Sequence, residues 1–451
     1  MPRVRRVRGE AILALALLNI FVLITGFVAL DVIEARPLPA VPNPVTHADG
    51  VAAVAPAAPT PVDPERVADV LDDPMSSSGL EEGLSGYVVD GSTGETLFER
   101  DADAAVTPAS TTKIATAVTV LDTVGPDHVL RTEAYLDPAE NRVVLRGGGD
   151  ATLTVTADSA AYPQVATLEE LAVDTAGSLA EQGVDTVKIG YDDSLFTGSD
   201  TGPGWKPNYV TEGSTATIHA LLVDQGRVEP DVSTRVPDPP RAAAEAFADQ
   251  LERAGLTVEG DPREAESVGE PVASVTSAPV SSLVEFMMLA SDNNMAEALG
   301  RVAALESGAE ASFAGASETT HRVMAGLGID GVDLSDNSGL STENRITPRA
   351  LVQLLEAAGE HPELNATLTG LPTAHSTGTL AGRYSEYSTS HHAAGMVRGK
   401  TGTLDGVSTL AGTIHDQEGN AFVFAFMAND EAATGPALDT LAAALAECGC
   451  S

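Results

Sequence analysis

Strand-like runs stand at the two ends of the folding region of this chain, and helical patterns fill the space between. "LSGYVVDGSTGETLFER" alternates through Tyr87 and Val89, turns at Gly91 to Gly94 and resumes from Thr96 to Glu99, which is the pattern of a β-hairpin. Far downstream, "MVRGKTGTL", "STLAGTIH" and "AFVFAFM" read as three more strands, the last two joined through the turn "DQEGN". Two early strands and three late ones can therefore share one sheet, with the intervening chain packed around it as helices.

The helical patterns are distinct. "STTKIATAVTVLDTV" follows Pro108, opens on residues suited to a helix start and places Ile114, Val118 and Leu121 on one face. "VSSLVEFMMLA" and "MAEALGRVAALE" bracket a polar break from Ser291 to Asn294, and "PRALVQLLEAAG" and "GPALDTLAAALAE" complete the set. Residues 131–276 carry strands and helices of their own ("NRVVLRGGG", "TVKIGYDDS", "TLEELAVDTAGSLAEQG", "RAAAEAFADQLERAG") and a Gly/Pro-rich "FTGSDTGPGWKPNY". They are expected to form an inserted domain within a main domain made of 79–130 and 277–451.

The N-terminus reads differently. Arg3, Arg5, Arg6 and Arg8 precede Ala11 to Leu30, an apolar run whose only strongly polar member is Asn19. That run has the length of a bilayer-spanning helix, and the arginines hold residues 1–10 in the cytoplasm. An uncleaved anchor at 11–30 is expected, with secretion after signal cleavage as the alternative, and the remainder outside the cell. Residues 31–78, rich in Pro and Ala, read as an extended tether.

The 25 basic against 65 acidic residues, a formal charge of −40, exclude a nucleic-acid partner, because phosphate binding needs clustered Lys and Arg. Cys448 and Cys450 flank one glycine, too few for a Cys-based zinc site. Adjacent His391 and His392, with His375, read as solvated loop residues, so neither metal nor cofactor is expected. "HPELN", His361 to Asn365, has histidine where a deacylating glutamate would be needed and reads as structural; "GGGD" lacks the frame of a phosphate loop.

Against this acidic background three short stretches carry chemistry: Ser110-Thr-Thr-Lys113, Ser291-Asp-Asn293 and Lys400-Thr-Gly402. In order they match the S-x-x-K, S-D-N and K-T-G set of penicillin-recognising serine enzymes. A serine hydroxyl is a weak nucleophile at neutral pH, and a lysine three residues on shares its helix face and can take its proton if partly neutral. Desolvation, with Lys400 as a nearby positive charge, is expected to lower the Lys113 pKa. Ser291 would relay a proton to the leaving amine and Asn293 would hold Lys113 and the substrate backbone. Lys400, Thr401 and Thr403 would receive a substrate carboxylate, Gly402 would let the strand approach, and the N–H groups of Ser110 and Thr403 would form the oxyanion hole.

From about Leu84 to Cys448 the chain resembles the D-alanyl-D-alanine carboxypeptidase/endopeptidase family, peptidase family S13, the class C low-molecular-mass penicillin-binding proteins. The resemblance rests on "GGGDATLT", "DDSLFTGSDTGPGW", "SDNNMAEAL", "DNSGLSTENRITPRAL", "LPTAHSTGTLAGR" and "GKTGTLDGVSTLAGT". It implies an α/β fold: a serine β-lactamase/transpeptidase-like domain, an antiparallel sheet flanked by helices, with a smaller inserted α+β domain. It also implies a serine peptidase cleaving D-Ala-D-Ala in peptidoglycan stem peptides, with endopeptidase action on crosslinks possible, and acylated by β-lactams. The insertion is shorter than in members with two extra domains. His375 and Thr377 replace the Gly and Asp usual in relatives. A β-lactamase, or a catalytically silent wall-binding scaffold, is the alternative; the first needs a deacylating base that the sequence does not offer.

Overall fold

The structure is a computed structural model and describes residues 62–77, 80, 83–156, 162–229, 232–430 and 434–450. Along the chain come α1 (Pro64–Ser77), the hairpin β1 (Leu84–Asp90) and β2 (Thr96–Arg100), and α2 (Thr112–Val124). Then follow β3 (Arg131–Asp137), β4 (Arg142–Arg146), α3 (Leu168–Glu181), β5 (Thr186–Asp192), α4 (Pro239–Arg253), β6 (Thr257–Val258), β7 (Arg263–Glu264) and β8 (Pro271–Thr276). Helices α5 (Val280–Ala290), α6 (Asn293–Glu306) and α7 (Phe313–Leu327) precede the short pair β9 (Val332–Asp333) and β10 (Arg345–Ile346). Last come α8 (Pro348–Glu360), α9 (Ala366–Thr369), β11 (Val397–Leu404), β12 (Val407–His415), β13 (Ala421–Ala428) and α10 (Gly435–Ala446).

The early hairpin and the three late strands do share one sheet, in the order β11-β12-β13-β1-β2, antiparallel throughout. Alternation along β13 explains why the sheet is covered on both faces. Phe422, Phe424 and Phe426 enter one core with α1 and α10, whereas Val423, Ala425 and Met427 enter the other with α2 and α5 to α8. Each fully buried phenylalanine contributes about 1.5–3 kcal/mol of apolar burial.

Residues 131–276 carry a second, mixed sheet in the order β6-β5-β4-β3-β8, with β7 also paired to β5, and a separate core against α3 and α4. The "GGGD" segment at the end of β4 is a packing device. A Cβ on Gly147 would lie 2.3 Å from the Ala220 carbonyl oxygen, and one on Gly148 would lie 2.0 Å from that of Arg131.

One expectation is corrected. The end of the supposed tether, 64–77, is a helix despite Pro74 within it. Val67, Leu71 and Met75 recur at i, i+4 and i+8 and are buried beside α10, which outweighs the lost N–H of one proline. The apolar run at 11–30 lies outside the described residues. Among the described residues no helix is long and apolar enough to cross a membrane.

Candidate active site

Pro108 ends the approach to α2, and a tight helical turn, Ala109–Thr111, sets Ser110 ahead of the helix. The Pro108 carbonyl accepts from the Thr111 hydroxyl at 2.7 Å and from Thr409 on β12 at 2.8 Å, which ties the turn to the sheet. Strand β11 passes so close that a Cβ on Gly402 would sit 2.2 Å from Thr409 Oγ1 and 2.9 Å from the Ser110 nitrogen. Only glycine fits there.

Helix α2 is buried on every side from Thr112 to Leu121, and Lys113 is fully buried within it. Its Nζ donates to Ser110 Oγ at 3.1 Å, to Asn293 Oδ1 at 2.8 Å and to the Ser338 carbonyl at 2.6 Å. Burial lowers its pKa from 10.5 to about 8, although the carboxylates of Asp336, Glu297 and Asp292 pull the other way. The expected help from a neighbouring cation falls on the other lysine. Lys400, equally buried, is held well below its ordinary value by desolvation first and by Lys113 second.

The second motif sits on a helix break. Ser291 ends α5 in the left-handed region (φ 58°, ψ 38°), and Asp292 caps α6 by accepting from the Met295 N–H at 2.8 Å. The break turns Ser291 Oγ towards Lys400 Nζ, 2.9 Å away, and points Asn293 at Lys113. Asn293 also donates from Nδ2 to the Ser214 carbonyl at 2.8 Å. Lys400 also donates to the Thr401 carbonyl at 3.0 Å, and the Thr401 hydroxyl meets that of Thr379 at 2.8 Å. Ser110, Ser291, Asn293 and Thr403 open together onto a cavity of about 420 Å³, while Lys400 lies behind Ser291. Thr403, exposed on β11 directly after the Lys400-Thr-Gly402 motif, faces the cavity, whereas Thr401 and Gly402 are buried and do not line it. Residues of the 131–276 segment close the other side: Lys206, Asn208, Tyr209 and Ser214. A larger cavity of about 520 Å³ lies between the β1–β2 turn and α8 and contains none of the three motifs.

Three supporting groups carried no role in the sequence reading. Glu297, one helical turn after Asn293, accepts from the N–H groups of Asn337 and Ser338. Asp336 accepts from Trp205 Nε1 at 2.7 Å, from the Ser341 N–H at 2.7 Å and from Asn344 Nδ2 at 2.7 Å. The Ser338 carbonyl, which these contacts orient, has no side-chain signature at all. The replacements at 375 and 377 are accommodated. His375 takes φ +59°, where glycine is usual, and the Thr377 hydroxyl accepts the Thr373 N–H at 2.9 Å as a carboxylate would. His391 meets the Tyr384 carbonyl and His392 the Ala443 carbonyl.

A family model described as the D-Ala-D-Ala carboxypeptidase 3 (S13) family matches residues 65–234 and 229–448. The chain belongs to this family. It is 35% identical to carboxypeptidase DacB of Mycolicibacterium smegmatis, over 98% of this chain and 96% of that protein. It is 29% identical to a D-alanyl-D-alanine carboxypeptidase of an Actinomadura species, over 85% and 84% of the two chains. In fold it is similar to penicillin binding protein 4 of Haemophilus influenzae, with a TM-score of 0.68 at 20% identity over 83% of this chain and 98% of that one. A second structure of that protein, complexed with a β-lactam, aligns with a TM-score of 0.63.

Gly339 tests how tightly the site is held. Its φ is +85°, and a Cβ there would lie 2.0 Å from the carbonyl oxygen of Ala109, beside Ser110. Gly339→Ala must displace the Ser110 turn, and acylation by penicillin should slow about 10- to 100-fold. Stopped-flow acylation rates check this; an unchanged rate would show that the turn yields without moving Ser110.

Proposed function

We propose that Ser110 is the nucleophile and Lys113 its general base in a serine-type D-Ala-D-Ala carboxypeptidase acting on peptidoglycan stem peptides. The observation that carries this is the contact of a fully buried amine with the hydroxyl it must deprotonate, Lys113 Nζ to Ser110 Oγ. Neutral Lys113 takes the hydroxyl proton as Oγ attacks the carbonyl between the two D-alanines. The tetrahedral intermediate collapses, Ser291 passes a proton to the departing amine, and D-alanine leaves. Lys400 resupplies Ser291 across their 2.9 Å contact. Water then attacks the acyl-serine and the ester C–O bond breaks; Lys113 returns its proton to Ser110 Oγ, and the proton released by the water passes through Ser291 to Lys400.

Thr403, which faces the cavity, receives the terminal carboxylate, with the Lys400 amine behind Ser291. β-Lactams present a strained amide and a carboxylate in the same relation and should acylate Ser110; the β-lactam complex of the Haemophilus influenzae relative supports this. When the leaving amine belongs to a crosslinked diamino acid, the same acyl transfer is endopeptidase action. Release of D-alanine from a diacetylated stem-peptide analogue tests the reading. Measurable turnover supports it, and none from the folded protein would favour the silent scaffold.

The basic tail and apolar run of 1–30 support a membrane-tethered enzyme facing away from the cytoplasm. The full chain should sediment with membranes and stay there in high salt. Equal recovery in the soluble fraction would contradict the anchor and favour cleavage.

A further inference from the structure

Glu297 is buried within α6 and spends both carboxylate oxygens on one loop. Oε1 and Oε2 accept the Asn337 N–H at 3.1 Å each, Oε1 accepts the Ser338 N–H at 2.8 Å, and Oε2 accepts Asn337 Nδ2 at 3.0 Å. Asp336 holds the same loop from its other side through the Ser338 hydroxyl at 3.0 Å and the Gly339 N–H at 2.9 Å. Between these grips lies the Ser338 carbonyl, the shortest of the three acceptors of Lys113. We propose that Glu297 is a positioning residue: through the 337–338 backbone it fixes the carbonyl that holds the Lys113 ammonium, and its charge sets the pH at which that amine is released to deprotonate Ser110.

The inference rests on the reading of Lys113 as base. The charged groups around the pair are few. Lys113 faces the carboxylates of Glu297, Asp292 and Asp336, with Lys400 on the β11 side. Glu297 faces Asp336 and stands one turn before Arg301, whose guanidinium it also stabilises. Burial and the Asp336 charge push the Glu297 carboxyl upward, and the donors from residues 337 and 338 hold it down. Every negative charge here keeps the proton on Lys113. Removing one releases the amine at lower pH.

The experiment follows acylation of Ser110 by benzylpenicillin in wild type, Glu297→Gln and Asn337→Ala between about pH 5.5 and 9. Each profile is scaled to its own plateau. In Glu297→Gln the acidic limb should move to lower pH by about one unit. In Asn337→Ala, which removes one donor that keeps Glu297 ionised, it should move the same way by about half a unit. The second variant carries the test if the first does not fold. Limbs that superimpose on wild type, with only the plateau or the melting temperature changed, would make Glu297 a structural residue and leave the reading of Lys113 intact. A folded wild type that never forms the adduct would overturn both.

Discussion

Ser110→Ala should abolish D-alanine release, lowering kcat/KM by about 10⁴-fold or more, while leaving the fold in place. The Ser110 hydroxyl is the one that Lys113 contacts at the head of α2, whereas Ser291 Oγ sits against Lys400 at the break between α5 and α6. The variant should fold. Ser110 is half-buried in a turn held by the Pro108 carbonyl, and Lys113 keeps Asn293 Oδ1 and the Ser338 carbonyl when the hydroxyl is gone. The stability change should stay within about 1 kcal/mol. D-alanine release with circular dichroism on the same sample checks both halves. Residual activity within tenfold of wild type would place the nucleophile elsewhere.

Lys113→Ala should cost about 10³-fold or more in acylation and should also change the pH profile. An amine with a pKa of about 8 is neutral in roughly one molecule in ten at pH 7, whereas at its ordinary value fewer than about one in a thousand would be. Burial therefore raises the usable base by about two orders of magnitude. The sign follows directly: the base is the unprotonated form, so wild-type acylation should rise with pH and level off above about 8. The alanine variant should lose that limb. Because it removes the amine that faces Asp336, Glu297 and Asp292 and leaves Arg301 as the cation beside Glu297, it should also be less stable than Ser110→Ala. Acylation rates across the pH range check this; a limb near pH 8 that survives in Lys113→Ala would assign it to another group.

What the sequence made legible, and what it hid, divides along physical lines. The motif serines, lysines and Asn293, which the structure brings into contact, could be read because each short pattern sets particular side chains at fixed spacings. The main sheet could be read because alternation such as that of Phe422, Phe424 and Phe426 against Val423, Ala425 and Met427 survives any distance between strands. The carbonyls of Ser338 and Ser214 were invisible, since a backbone acceptor leaves no residue signature. Glu297 and Arg301 stood in plain view at i and i+4 in "MAEALGRVAALE". A charged pair at that spacing is ordinarily solvated, and only the structure shows both buried. Helix α1 was hidden by composition: its prolines suggested a tether, although Val67, Leu71 and Met75 already carried the helical period. The burial of Lys400 behind Ser291 could not have been foreseen, because it follows from the left-handed break that ends α5.

The account turns on one proton passing from Ser110 to Lys113, and intact mass followed by peptide mapping after brief exposure to benzylpenicillin tests it most directly. The folded full-length protein should gain a single penicilloyl group on the peptide carrying Ser110, faster at pH 8 than at pH 6, and lose it slowly. No adduct, or an adduct on any other residue, would contradict it.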